Sequence, residues 1–416
     1  MKSLAVLDVL RVVSMWWIVS THTSAQQVVQ LPIDLKDVMQ SLRGFDFVIL
    51  ENAFMGVDTF FFLSAFIAAY GLLSNVKFIR TFSYPKYFVM RYLRMTPSYM
   101  MVMFFNFFVF PLLSRGPLWY TTFERFSFCT KYWWTHLLYI NNIYPARMDD
   151  ECMPWAWYLA ADYQFYLIAP AFILLLGTPR WRKIGVYMTS AVIVLQFVWT
   201  FTISYVNEIP ALASVQSDAV DLEAIMAGHN RWMTTFYMQF YNHLNVFLGG
   251  VLTAHFCVQY QDWQMKQWMV WSFHGVAAIC LLLAEFVPYD FLGVSSSWSN
   301  AGNASYNYFS RLLWSIGLAA ITFPSVVCGE TQVRLLNNLF QWGGWRILAR
   351  LTYGVYLTHC VIINLYHSSY MREIPFSPMS ATVVVAGIAL WSYICSAILF
   401  ITVEAPVGNL VKLIVQ

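Results

Sequence analysis

Charge is what this sequence has least of. Lys, Arg, Asp and Glu make up 11% of 416 residues, against about 25% in a soluble domain. So sparse a charge complement excludes an ordinary water-soluble fold. The net charge is +3 and no basic run occurs, which excludes tracking a phosphate backbone, so nucleic acid is not an expected partner. Low-complexity tails, long linkers and internal repeats are absent as well. A cleavable signal is also missing: Lys2 suits a basic start, but Asp8 and Arg11 interrupt the apolar part and no Ala-x-Ala-like site follows. Residues 4–24 therefore read as a retained first span.

What is present is apolar: 59% of the residues are hydrophobic. A spanning helix needs about 20 mostly apolar residues. The hydrophobic stretches predict ten spans at 4–24, 54–74, 95–113, 154–176, 184–205, 235–256, 267–287, 307–327, 351–369 and 380–402. The weakest is 235–256, which carries Asn242, His243, Asn245 and two glycines; a broken or cavity-lining helix would account for that polarity. The expected fold is an all-α polytopic bundle of about ten transmembrane helices, one domain over residues 1–416, in the lipid bilayer of the plasma membrane or of secretory endomembranes.

Ten spans place both termini on one side. The loops on the side of Met1 collect fourteen basic residues, among them Lys77, Arg80, Arg91, Arg94 and Arg334, while the opposite loops carry eight. The opposite loops also hold most of the carboxylates, including Asp149, Asp150, Glu151, Asp218, Asp221 and Glu223. By the positive-inside rule the termini are cytoplasmic.

Of seven cysteines only Cys129 and Cys152 fall in an outer loop, both in 114–153. On the oxidising side of a membrane a disulfide is expected there, two free thiols being the alternative. The single sequon, Asn303-Ala304-Ser305, falls in the predicted outer loop 288–306 and marks Asn303 for glycosylation.

Within the first span, "RVVSMWWIVSTH" carries Arg11 and His22. An ionised group at mid-bilayer costs about 2.5–3.5 kcal/mol on insertion scales. Eleven positions along an α-helix end about 20° past three full turns, so the two side chains share a face about 16 Å apart along the axis. Met15 and Ile18 lie on the same stripe. Asp8, three residues before Arg11, offers a simple ion-pair partner. The functional alternative is a passage through the membrane, with Arg11 holding a phosphate-bearing donor and His22 acting as general base near the outer mouth.

Three further groups carry chemistry. Arg91 and Arg94 share a face at the cytoplasmic start of the third span, either as headgroup anchors or as a phosphate clamp. Tyr356 and His359, three apart in the ninth span, suit an interhelical hydrogen bond or the positioning of a substrate. Asp58 and Asp162 are intramembrane carboxylates in need of partners, for which Arg11 and His22 are candidates. His243 belongs to a presumed substrate cavity at the sixth span. His136, His229, His243, His255, His274 and His367 show no metal-ligand spacing among themselves, and no metal site is expected.

These stretches together resemble the acyltransferase type 3 family of integral membrane O-acyltransferases, in particular its animal branch of "nose resistant to fluoxetine"-like proteins. "LDVLRVVSMWWIVSTH" resembles the family's opening helix, "GVDTFFFLSAFI" its second span and "RYLRMTP" its Arg-x-x-Arg motif. "MPWAWYLAADYQFY", "LTYGVYLTHCVI" and "VEAP" resemble later signatures, in order along nearly the whole chain. The resemblance implies acyl transfer from a cytoplasmic acyl-CoA to a hydroxyl on the outer side, the acceptor being a lipid, sterol or glycan. It implies His22 as catalytic base, Arg11, Arg91 and Arg94 as donor-binding groups, acyl-CoA as co-substrate and no permanently bound cofactor. Asp58 or Asp162 would orient the imidazole. Ala65 in place of the usual glycine, Asp162 in place of a bacterial glutamate, and the altered sixth span depart from the pattern. A carrier of lipids or hydrophobic drugs, built on the same scaffold without catalysis, is the alternative.

Overall fold

The computed structural model describes residues 4–30, 45–75, 79, 81–113, 119–145, 150–212, 228–292, 298–328, 341–369 and 378–415, and among these every regular element is helical. In chain order they are α1 (Ala5–Gln30), α2 (Phe45–Glu51), α3 (Phe54–Leu73), α4 (Tyr84–Phe104), α5 (Trp119–Leu137), α6 (Trp157–Gly177) and α7 (Arg182–Val206). There follow α8 (Leu244–Gln259), α9 (Gln267–Phe286), α10 (Asn300–Cys328), α11 (Gly343–Ser368), α12 (Pro378–Leu399) and α13 (Ala405–Val415). Among the described residues, eight segments are long and apolar enough to cross a membrane: 54–73, 84–112, 154–177, 182–206, 267–289, 300–328, 343–368 and 379–413. Each matches an expected span. The other two expected spans are helical too, but α1 carries Asp8 and Arg11 and α8 has only 16 residues.

The sixth span is broken. A π-helical turn at Met233–Tyr237 ends at Gln239, whose backbone is extended (ψ 115°), and a 3₁₀ turn at Phe240–His243 leads into α8. A hydrophobic region interrupted in this way frees backbone groups that must find partners inside the protein. Asn242 Nδ2 and Gln239 Nε2 donate to the carbonyls of Phe236 and Thr234 and supply two of them.

The chain divides into two compact units. The first contains residues 1–14, 43–82 and 162–346. In it α8 lies along α3, and α10 packs on α7, α8, α9 and α3. Small residues permit the closest approach, as expected where lipid supplies no hydrophobic drive between helices. A methyl group built on Gly250 would overlap the carbonyl oxygen of Phe62, and Ala65 lies beside it, fully buried. The close approach at Ala65 on α3 thus works through a glycine on α8. Phe165 stacks on Phe247 at 4.5 Å and meets Phe61 edge-on at 5.2 Å.

The second unit contains residues 15–42, 83–161 and 347–416. Tyr353 on α11 donates to the Met95 carbonyl of α4 at 2.7 Å, and Ser396 on α12 donates to the Leu351 carbonyl at 2.6 Å. The expected disulfide is formed: Cys129 on α5 joins Cys152, with Cα atoms 4.4 Å apart.

Two expectations fail here. Asn303 lies not in a loop but inside the first turn of α10 and is 4% exposed, so its amide is withheld from a glycosylating enzyme. The polar stripe on α1 is not a continuous passage either. Met15 is 0% exposed and Ile18 4%, which leaves no water-sized space against Met15 between Arg11 and His22. Lys36, Arg43, Lys77, Arg80, Arg115, Arg147, Asp149, Asp218, Asp221, Glu223, Arg334 and Arg372, which entered the charge count, lie outside the described residues.

Candidate active site

Helix α1 turns Val13 and Trp16 outward, at 51% and 46% exposure, and the opposite face, with Met15, Ile18 and His22, into the second unit. Amphipathicity in this helix is weak because lipid accepts the outward residues as readily as the core accepts the inward ones. The inward face delivers His22 to His359 on α11. Their rings are nearly parallel, 7° apart, and His22 Nδ1 lies 2.8 Å from His359 Nε2.

The hydrogen bonds fix the tautomers. His359 Nδ1 faces two backbone carbonyls, Tyr356 at 2.8 Å and Val355 at 3.1 Å. A carbonyl only accepts, so Nδ1 carries the hydrogen and Nε2 holds a lone pair. The Nδ1–H of His22 donates to that lone pair. What remains is the Nε2 lone pair of His22, a half-buried residue, which has no hydrogen-bond partner among the described residues. A free, accessible imidazole nitrogen held by an oriented partner is the arrangement of a general base.

Sequence reasoning had offered Asp58 or Asp162 as the orienting group; the place beside His22 Nδ1 is taken by His359. Tyr356, paired with His359 in the sequence reading, donates instead to the Trp155 carbonyl, with its ring centre 6.0 Å from that of His359. Cys360 joins the pair as well, its Sγ 3.2 Å from His359 Nε2 and 3.7 Å from His22 Nδ1. No spacing rule finds a cluster whose members stand 337 residues apart.

The same helix α11 leads from this pair toward the cations. Tyr353, Tyr356 and His359 recur every three residues along one side of it, and Arg91 and Arg94 lie within electrostatic range of the Tyr353 hydroxyl. Arg91 is half-buried and Arg94 exposed. Arg11 is about one-third exposed, 4.0 Å from Asp8, as the simple ion-pair reading expects.

Asp58 and His243 meet in the first unit. His243 Nδ1 lies 2.5 Å from Asp58 Oδ1, and its Nε2 donates to the Tyr237 carbonyl at 2.7 Å. Arg311 Nε sits 3.3 Å from Asp58 Oδ2, its guanidinium 4.6 Å above the ring of Phe236. All three residues are 4% exposed or less. His243 therefore lines no open substrate cavity. Asp162, the remaining carboxylate, is buried in α6 at 2% exposure. Arg311 escaped the sequence reading, although a lone arginine within an apolar span is the same oddity that singled out Arg11.

Outside the spans, the segment carrying the disulfide buries His136 and Glu151. His136 Nδ1 lies 2.5 Å from the Tyr99 hydroxyl, and burial pushes the imidazole down to about 3 from 6.5. Burial raises the Glu151 carboxyl well above its usual range, opposed in part by a hydrogen bond with Asn141.

Residues 4–401 match the acyltransferase domain family. The chain is 24% identical over 386 residues to "Nose resistant to fluoxetine protein 6" of Caenorhabditis elegans, across 88% of this chain and 45% of that protein. It is 25% identical over 437 residues to "Regulator of hypoxia-inducible factor 1" of the same nematode, across 98% of this chain and 80% of that protein. The chain thus spans about half the length of the first relative. No solved structure matches.

Proposed function

Because this chain belongs to the acyltransferase domain family, we propose that it is a membrane O-acyltransferase whose general base is His22 Nε2. The observation that carries this reading is the free lone pair on His22, fixed by the hydrogen bond from its Nδ1–H to His359. The acceptor hydroxyl gives its proton to Nε2 and its oxygen attacks the thioester carbonyl of the donor. The C–S bond breaks, and the departing thiolate takes the proton back from the imidazolium. His359 positions the ring throughout.

The donor is an acyl-CoA held by its phosphates at Arg91 and Arg94. Guanidinium geometry suits phosphate oxygens. The termini and these cations face the cytoplasm, and the acceptor, a lipid, sterol or glycan hydroxyl, arrives from the outer side. Since Met15 closes the stripe on α1, the acyl chain takes an apolar path that opens on binding.

Replacing His22 with Ala and following transfer from labelled acyl-CoA tests the base, with an expected loss of about 100- to 10,000-fold. Transfer at the wild-type rate would remove His22 from the mechanism. Acyl-CoA should also raise the thermal midpoint of the purified protein, and neutralising Arg91 and Arg94 should abolish that rise.

One observation favours a second reading, a carrier for lipids or hydrophobic drugs. An apolar groove of about 560 Å³ in the first unit is lined by Phe256, Tyr260, Trp268, Phe273, Ile316 and Phe323. Binding of a sterol or drug there, with indifference to acyl-CoA, would favour transport.

A further inference from the structure

We infer that His22, His359 and Cys360 form a binding site for a divalent cation of the zinc type, and that the bound ion switches off the His22 base. The inhibitory half of this inference rests on the role proposed for His22; the binding half does not.

The three donor atoms are His22 Nδ1, His359 Nε2 and Cys360 Sγ, separated by 2.8, 3.2 and 3.7 Å. Two imidazoles and a thiolate form a borderline-soft set suited to zinc, and three protein ligands with one open position is an ordinary open zinc site. Zn–N and Zn–S bonds of about 2.0 and 2.3 Å put tetrahedral donors about 3.3–3.6 Å apart. Two of the separations are near that range. The third, 2.8 Å, is a hydrogen-bond length and opens by about 0.5 Å when an ion replaces the shared proton.

The surroundings are those of a ligand set. A metal-bound histidine nearly always donates its other ring N–H to a carbonyl or carboxylate, which aims the ligating lone pair. His359 does this through Nδ1 to the Tyr356 carbonyl. His359 is fully buried and held in place, while His22 and Cys360 are half-buried and leave an approach.

The proton balance gives the consequence. Binding releases the Cys360 thiol proton to solvent. His22 Nδ1 exchanges its hydrogen for the metal, and that hydrogen moves to Nε2, the only other nitrogen of the ring. Nε2 then has no lone pair to offer an acceptor hydroxyl. The ion is therefore an inhibitor, and Cys360 is needed for inhibition but not for transfer.

Cobalt is the probe for binding, because a cobalt–thiolate bond gives a near-ultraviolet charge-transfer band. The purified full chain with Co²⁺ should develop this band, Zn²⁺ should displace it, and Cys360→Ser should lack it. In the unaltered protein, Zn²⁺ should also shield Cys360 from alkylation, read by mass spectrometry, which keeps the test open if the variant folds poorly. In transfer assays Zn²⁺ should inhibit, and Cys360→Ser should raise the inhibitory concentration at least about tenfold, the loss of one ligand's share of affinity. No band together with no protection of Cys360 overturns the site. A band without inhibition of an active enzyme overturns the switch. A band in a protein that transfers no acyl group overturns the proposed function and leaves the metal site standing.

Discussion

Two histidine centres among the described residues use the same ring in opposite ways. In the first unit, Asp58, His243 and Arg311 spend their ring nitrogens and charges on one another and on a backbone carbonyl. In the second unit, no carboxylate among the described residues bonds to the rings of His22 and His359, and one nitrogen of His22 has no partner among those residues. An ion-paired cluster holds helices in place; an unused imidazole lone pair is available for chemistry. Polarity is common to both centres, and what separates them is the count of acceptors facing each ring among the described residues.

The largest expected effect breaks this comparison most directly. Asp58→Ala leaves His243 and Arg311 facing each other across a buried gap, and removing one partner of such a group costs about 3–5 kcal/mol. The thermal midpoint of the purified protein should fall sharply. His22→Ala, by contrast, should leave the midpoint nearly unchanged while transfer is lost. If Asp58→Ala melts normally and loses only transfer, the roles of the two centres are reversed.

The next effect is smaller and concerns His359, which orients without touching substrate. His359→Ala removes the acceptor of the His22 Nδ1–H, and a misaligned base costs about 100-fold in kcat. His359→Gln restores a carbonyl acceptor and should recover about tenfold of that loss. The KM for acyl-CoA and the thermal midpoint should not move, whereas the pH–rate profile should change shape. Equal kcat for the Ala and Gln variants would mean that His359 only fills space.

Much of this was legible in the sequence because membrane helices advertise themselves by length, and because an arginine or histidine within one is conspicuous. Eight of the ten spans, the break in the sixth and the Cys129–Cys152 disulfide follow from composition and topology. Pairing was not legible. The partner of His22 lies on a helix more than 300 residues away, and tertiary packing, which no spacing encodes, chose a histidine over two carboxylates. The ion pair of Asp58 with Arg311 was missed because only Asp58 was singled out, although Arg311 is equally a charge in an apolar span. Asn303 misled because three letters of a sequon carry no information about burial. The face of α1 read as a passage was right in direction and wrong in content: it turns inward, but Met15 and Ile18 fill it.

A third imidazole sharpens the comparison. His136 resembles His22 in using one nitrogen, toward Tyr99, and leaving Nε2 without a partner among the described residues, but that nitrogen is sealed. Access, not an unused lone pair, then separates chemistry from packing, and the cost of sealing is measurable. His136 folds neutral, held down to about 3 against 6.5 when unfolded, so the stability it contributes is full above 6.5 and falls as pH drops toward 3. Glu151 folds protonated, so its contribution is full below 4.5 and falls as pH rises toward its elevated folded value. Between 4.5 and 6.5 the two slopes oppose each other, and stability of the disulfide-bearing segment should be flat. Outside that window it should fall by at most about 1.4 kcal/mol per pH unit on either side. Hydrogen exchange of the α5 amides in the full chain, corrected for intrinsic rates, reads this directly. Glu151→Gln should remove the alkaline fall and His136→Gln the acid one; a profile indifferent to both changes would show that water reaches the two groups and that His136 is not sealed.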